Sequence, residues 1–375
     1  MMKKILSLLL IIVIFSVVIS AKHKGEEKLY NSIQNPVFPF VMTLTKTELS
    51  EIEKEFIAKY NPFGFLFHCH NIRTKDGAKK LIAEIKQLLL ESQNRKDNIF
   101  FMVDQEGGRV NRLKCMDKET KYPPQFYFGN LAKKDPAKAR KEILKHYTHA
   151  AKIMEEIGIN MNLAPVLDVM KNDVYVGDSD VVISSINFKE DIGDRAFSSN
   201  PKIVRALGDQ VISIMKEHNI YSTVKHIPGL GSSTVNSHYK LPIIDKSLEE
   251  LRKKDFMPFK NLQDVHFAMV PHAKYMAIDK RNVSTFSKKV IRTIRTDIGF
   301  QGFLISDALN MKALGKMSIE DKIEKTFASG IDIAMPFFSV NLTSNYEKVI
   351  SAIPRKKIVE FNQKLERLSL NPTKN

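Results

Sequence analysis

From about residue 30 onward, short apolar runs alternate with longer stretches that repeat their apolar positions at helical spacing. The runs predict strands over Phe38–Thr43, Phe63–Phe67, Ile99–Val103, Met161–Ala164, Ile220–Val224, Phe267–Val270, Phe303–Ser306 and Ile331–Met335. The intervening stretches predict helices over Thr47–Tyr60, Ala78–Ser92, Lys138–Ile157, Pro201–Glu217, Ser247–Leu262, Lys288–Asp297 and Ile319–Ala328, with a last one near Lys348–Leu368. A strand followed each time by a helix or long loop, eight times over, is the pattern of a parallel (β/α)8 TIM barrel. A doubly wound open sheet is the alternative. One catalytic domain over residues 30–370 is expected, with any irregularity in its first strands.

Residues 1–21 stand apart. Lys3 and Lys4 precede an apolar run, Ile5–Ile19, which ends in Ser20-Ala21. A charged start, apolar middle and small-residue end make a secretory signal peptide. The run is long for a signal and is flanked by Lys22 and Lys24, so an uncleaved membrane anchor is the other reading. Either places the protein outside the cytoplasm, in the periplasm or attached to the envelope. Membrane contact is expected only through this segment.

Composition narrows the picture in two respects. The chain has 375 residues, 43% of them hydrophobic, enough for one large core or two smaller ones. The formal net charge is +16, from lysines scattered along the chain, as at Lys133-Lys134, Lys253-Lys254 and Arg355-Lys356-Lys357. No basic stripe carries interleaved aromatic residues, so no nucleic-acid partner is expected; a basic surface favours anionic substrates or an anionic envelope. Cys69 and Cys115 have no metal-ligand spacing, and a disulfide between them is open in an oxidising compartment.

Chemically capable residues fall at the ends of the expected strands, where barrel enzymes gather their active sites. Asp104 follows Ile99–Val103, and Lys225 and His226 follow Ile220–Val224. His272 follows Phe267–Val270, and Asp307 follows Phe303–Ser306. The segment Lys225 to His238, KHIPGLGSSTVNSH, carries two histidines and a lysine but no carboxylate, and its glycines and proline break regular structure and suggest a loop able to swing. Val103 to Arg112, VDQEGGRVNR, packs two carboxylates and two arginines around a Gly-Gly. Asp104 there can accept hydrogen bonds from vicinal hydroxyls, or the segment can be a turn with internal ion pairs. Asp307 can be a nucleophile, a base or a metal ligand, or simply the N-cap of a following helix.

Together these pieces resemble glycoside hydrolase family 3, in its single-domain β-N-acetylhexosaminidase branch. The resemblance rests on Asp-Gln-Glu-Gly-Gly-Arg-Val at 104–110 and Lys-His-Ile-Pro-Gly-Leu-Gly at 225–231 with Ser237-His238. It also rests on Ser306-Asp307 with Met311, on Ala-Pro-Val-Leu-Asp at 164–168, and on Gly-Asp-Arg-Ala-Phe at 193–197. It implies Asp307 as the nucleophile of a glycosyl-enzyme and His238 as general acid/base. Asp104, Arg112, Arg195, Lys225 and His226 would hold a terminal N-acetylglucosamine. The implied reaction is retaining exo-hydrolysis, with no metal and no organic cofactor. Its substrates would be N-acetylglucosamine-containing saccharides or muropeptides, from peptidoglycan turnover, and a monomer is expected.

Two features depart from the family pattern. Asn236 stands where an aspartate usually orients the catalytic histidine; an amide can fix the tautomer but adds no charge, so His238 should be a weaker base. The loop Asp168–Ile192 is long, and its Asp173, Asp178 and Asp180 read as a solvated insertion rather than a metal site. A β-glucosidase, an N-acetylglucosaminide phosphorylase, or a cell-wall-binding protein with degraded catalysis are the alternatives.

Overall fold

A computed structural model describes residues 27–171, 192–233, 235, 237, 239–337 and 342–368. The segment 1–21, most of the 168–192 loop, and both Asn236 and His238 lie outside the described residues.

Eight parallel strands close into a barrel. They are β1 (Phe38–Thr43), β2 (Pro62–Phe67), β3 (Phe100–Val103), β4 (Met161–Asn162), β5 (Tyr221–Lys225), β6 (Phe267–Val270), β7 (Phe303–Ala308) and β8 (Ile333–Met335). β8 pairs with β1 through Ala334 and Phe40, which seals the ring. The open-sheet alternative is therefore excluded. β1 and β2 are full strands, six residues each. A register shift between Phe38 and Val41 is the irregularity on their shared edge.

The barrel closes because alternate residues of each strand serve two cores. Val41, Phe63, Leu66, Phe100, Met102, Phe267, Met269, Phe303, Ile305, Ile333 and Met335 fill the interior. Their neighbours Phe40, Phe65, Phe101, Ala268, Val270, Leu304 and Ala334 pack outward under the helices. In a chain without tryptophan, phenylalanine fills the lower interior. Phe63 stacks on Phe100 at 4.5 Å and Phe267 on Phe303 at 5.4 Å. The last helix, Arg355–Glu366, sets Phe361 edge-on against Phe63 and so stops the amino-terminal end of the barrel. Only the carboxyl-terminal mouth is left for a site.

The outer ring follows the expected helices with three differences. The expected helix Ser247–Leu262 ends at Lys253 and resumes as a single 3-10 turn, Met257–Phe259. Pro258 cannot donate to a helical ladder. The expected helix Lys348–Leu368 is two, Leu342–Ser351 and Arg355–Glu366, divided at Pro354. A helix not expected, Gln125–Lys134, stands before Pro136–Ile157. Its aromatic, glycine-containing sequence has weak helix propensity and is held by packing instead.

Cys69, just beyond β2, and Cys115, in the turn after Arg112, form a disulfide with Cα atoms 5.5 Å apart. It closes a loop of 46 residues and staples two strand-end loops together at the mouth. Replacing both cysteines with serine is expected to cost about 2–4 kcal/mol of stability. Denaturant melts of wild type with and without reductant check this; coincident midpoints would contradict it.

Candidate active site

Asp104 and Asp307 occupy the next same-parity positions after the interior residues Met102 and Ile305, and Lys225 the second after Tyr221, beyond Thr223. The alternation that fills the barrel with apolar groups thus ends, at the mouth, in charged ones. Asp104 is partly open, its side chain 25% exposed, whereas Lys225 is buried. Lys225 Nζ lies 2.5 Å from Asp104 Oδ1 and 2.6 Å from Glu106 Oε1. Glu106 in turn accepts two parallel bonds from Arg195, from Nε and Nη2, each at 2.8 Å. Arg195 Nη2 stands 3.5 Å from His226 Nε2, and His226 Nδ1 meets Asp168 Oδ2 at 2.6 Å.

One continuous chain of charge, Asp104–Lys225–Glu106–Arg195–His226–Asp168, therefore runs across three strand ends and the loop beyond them. Burial penalises the Glu106 charge, but Arg195 and Lys225 outweigh it and hold the carboxyl well below its ordinary value. Burial likewise opposes the Lys225 charge, and Asp104 and Glu106 overcome it and raise the ammonium above its ordinary value. Glu106 and Lys225 thus hold each other in the charged form.

The backbone around this chain is held tightly. Gln105 Oε1 accepts from the amides of Arg112 and Leu113, each at 3.0 Å. Gly107 has φ +94°, and a Cβ there would come within 2.2 Å of Pro123 O. Arg109 Nε pairs with Asp194 at 3.0 Å and so ties the 105–111 hairpin to the turn carrying Arg195. The internal ion pairs expected of this segment are instead made with other parts of the fold. Asp168 also accepts from the amides of His226 and Leu230, at 3.2 and 2.5 Å. A Cβ on Gly231 would meet Val169 O at 2.1 Å. The glycines of the 225–231 stretch serve close packing, and residues 225–231 are buried; part of the remainder of the loop expected to swing lies outside the described residues.

Arg112 and His68 complete the rim. The Nε of Arg112 and the Nε2 of His68 are buried with no hydrogen-bond partner. Burial, reinforced by Arg112, lowers the His68 imidazole to about 4, with Asp104 pulling the other way. Unpaired buried polar atoms in a polar mouth call for a ligand or a water.

Asp307 lies inside β7, and the next helical turn starts only at Lys312 with Met311 as its cap residue. The N-cap reading of Asp307 is therefore wrong. β7 is bulged here: Ile305 pairs with Ile333 and Ala308 with Met335, three steps against two. Bulges re-aim side chains beside active sites.

Residues 26–369 match the family model described as the glycosyl hydrolase family 3 N terminal domain. The chain belongs to glycosyl hydrolase family 3. It is 28% identical over 340 residues to a beta-hexosaminidase of Chromobacterium violaceum, covering 89% of this chain and 87% of that one. It is 27% identical over 312 residues to beta-hexosaminidase A of Pseudoalteromonas piscicida, covering 78% of this chain but only 48% of that protein. Native NagZ from Neisseria gonorrhoeae superposes with a TM-score of 0.72 at 26% identity, over 88% of this chain and 90% of that one.

Within this family 3 barrel, the structure joins four of the sequence-selected residues, Asp104, Arg195, Lys225 and His226, in one chain, and sets Asp307 at the end of β7. Arg112 stands on the rim without a bond to that chain. Sequence reasoning assigned no part to Glu106, Asp168 or His68. Glu106 carried a usable signal, since it shares the strand parity of Asp104. Asp168 carried only its place in the 164–168 element, and its role was not readable because its partner is 58 residues away.

Proposed function

We propose that this glycoside hydrolase removes terminal β-linked N-acetylglucosamine with retention, using Asp307 as nucleophile and His238 as acid/base. The observation that carries the reading is the buried chain from Asp104 to Asp168, which arranges an open carboxylate, two cations and an oriented imidazole at the mouth of the barrel, as a sugar ring with several hydroxyls requires. The names of the family 3 relatives support the same sugar.

In the first step an Asp307 oxygen bonds to C1 as the glycosidic C–O bond breaks, and the His238 imidazolium gives its proton to the departing oxygen. In the second, His238 takes a proton from water, whose oxygen bonds to C1 and releases Asp307. A histidine suits both steps because it titrates near neutrality and sets no second negative charge beside the nucleophile. Asp104, Arg112, Arg195, Lys225 and His226 hold the sugar, with Lys225 and Arg195 themselves fixed by Glu106. We place the enzyme outside the cytoplasm, acting on peptidoglycan-derived fragments; the signal-like segment 1–21 and the Cys69–Cys115 disulfide support that location.

Release of p-nitrophenol from p-nitrophenyl N-acetyl-β-glucosaminide, with the β-anomer of the free sugar appearing first by NMR, is the expected result. No turnover on any N-acetyl-β-glucosaminide across the pH range, or the α-anomer first, would overturn it. Asn236 makes turnover slow, and Asn236→Asp is expected to raise kcat roughly tenfold by stabilising the His238 imidazolium. Unchanged or lower kcat in that variant would count against the assignment of His238.

A further inference from the structure

His272 follows the outward-facing positions Ala268 and Val270 of β6, out of phase with the interior residues Phe267 and Met269. It is fully buried and has no bond to the charged chain of the site. Its Nε2 lies 3.0 Å from the carbonyl of Ala308, and its Nδ1 lies 2.6 Å from Thr285 Oγ1. A carbonyl can only accept, so Nε2 carries the hydrogen. The Thr285 hydroxyl, whose single hydrogen has Nδ1 at 2.6 Å and Pro271 O at 3.1 Å as its two acceptors, holds the other side of the ring.

We propose that His272 is a positioning residue for Asp307, a neutral imidazole that anchors the backbone immediately after the nucleophile. The proposal rests on the reading of Asp307 as that nucleophile. On the β8 side the bulge takes Ser306 and Asp307 out of register between Ile305 and Ala308, so side chains help to hold this stretch. Ser306 Oγ accepts from the Met335 amide at 2.9 Å. Leu309 donates to Met335 O at 3.0 Å and accepts from Lys322 Nζ at 2.9 Å. Between these two, the Ala308 amide bonds the Asp307 carboxylate at 2.7 Å, and the Ala308 carbonyl is held by His272. Losing that hold frees the peptide plane next to the reacting carboxylate. A displacement of about 1 Å at a reacting atom costs on the order of 10²-fold in rate.

Neutrality is part of the device. Burial lowers the affinity of His272 for a proton, Asp307 pulls it up, and Lys322 and His226 push it down. A positive charge here would act through space on the Asp307 carboxylate and blunt its attack. A neutral ring directs the backbone without neutralising the nucleophile.

The full-length variants His272→Leu, His272→Gln and Thr285→Val test this on p-nitrophenyl N-acetyl-β-glucosaminide. His272→Leu is expected to lower kcat roughly 10- to 100-fold, with the inhibition constant for N-acetylglucosamine within about threefold of wild type. His272→Gln, whose amide N–H reaches the same carbonyl, is expected to recover most of the loss, and Thr285→Val to lose several-fold in kcat. Full kcat in His272→Leu, sugar affinity that falls in step with kcat, or His272→Gln no faster than His272→Leu would each overturn the proposal. Should His272→Leu fail to fold, full kcat in Thr285→Val or the loss of sugar affinity in His272→Gln overturns it. Asp307→Ala, measured in parallel, separates the two readings: turnover retained there defeats the nucleophile assignment itself. Turnover lost there but kept in the His272 variants defeats only this proposal.

Discussion

Asp307→Ala is expected to lower kcat on N-acetyl-β-glucosaminides by on the order of 10⁴-fold or more, a barrier increase of about 5 kcal/mol. Binding of N-acetylglucosamine should stay within a few-fold of wild type, because the chain we propose to hold the sugar is built from Asp104, Lys225, Glu106, Arg195, His226 and Asp168. The side chain sits on the bulged end of β7, partly open to the mouth, and its removal leaves the surrounding backbone bonds of Ser306 and Leu309 intact. The loss is therefore one of chemistry, not of folding. Added azide offers a second check with Asp307→Gly: azide nitrogen bonds to C1 as the glycosidic C–O bond breaks, giving the α-glycosyl azide. Turnover near the wild-type rate in Asp307→Ala, or the β-azide, would remove Asp307 from the role.

The largest effect on the folded state is expected at Glu106. Glu106→Gln keeps the shape but removes the charge that Lys225 and Arg195, both withdrawn from water, pair with in common. Breaking a buried ion pair from one side costs about 3–5 kcal/mol, since a desolvated charge loses its partner. Thermal melts should show a Tm lower by roughly 10 °C. Calorimetric titration should show N-acetylglucosamine binding weaker by about tenfold or more. The same residue sets an acid limit. Its folded value lies below the ordinary glutamate value of 4.5, so its stabilisation is present above pH 4.5 and fades as the pH falls below it. Lys225 works in the opposite sense: its stabilisation is present below 10.5 and is lost as the pH rises past it. Wild-type stability should thus decline below about pH 4.5, and that decline should be blunted in Glu106→Gln. Identical acid limbs in the two proteins would rule Glu106 out as its source.

Particular elements show why some of this was legible in the chain and some was not. The strands were, because short unbroken apolar runs such as Phe100–Val103 and Phe267–Val270 are specified residue by residue. Helix ends at Pro258 and Pro354 were misjudged because apolar periodicity continues across a residue whose backbone cannot. The helix Gln125–Lys134 was missed because packing, rather than propensity, holds it.

The sequence alone determined the eight strand–helix units and the strand-end placement of Asp104, Lys225 and Asp307, because both follow from local patterns along single segments; that the sheet closes, through Ala334 and Phe40, only the tertiary structure decided. It also carried the motifs that mark a family 3 hydrolase. Only the tertiary structure decided what those residues do to one another. Lys225 and Arg195 meet through Glu106, His226 is oriented by Asp168, and His272 turns away from the sugar toward the backbone of Ala308. Each of these contacts joins residues 36 or more positions apart. Their pairing energy depends on burial and distance in the folded barrel, and no local pattern in the chain encodes either.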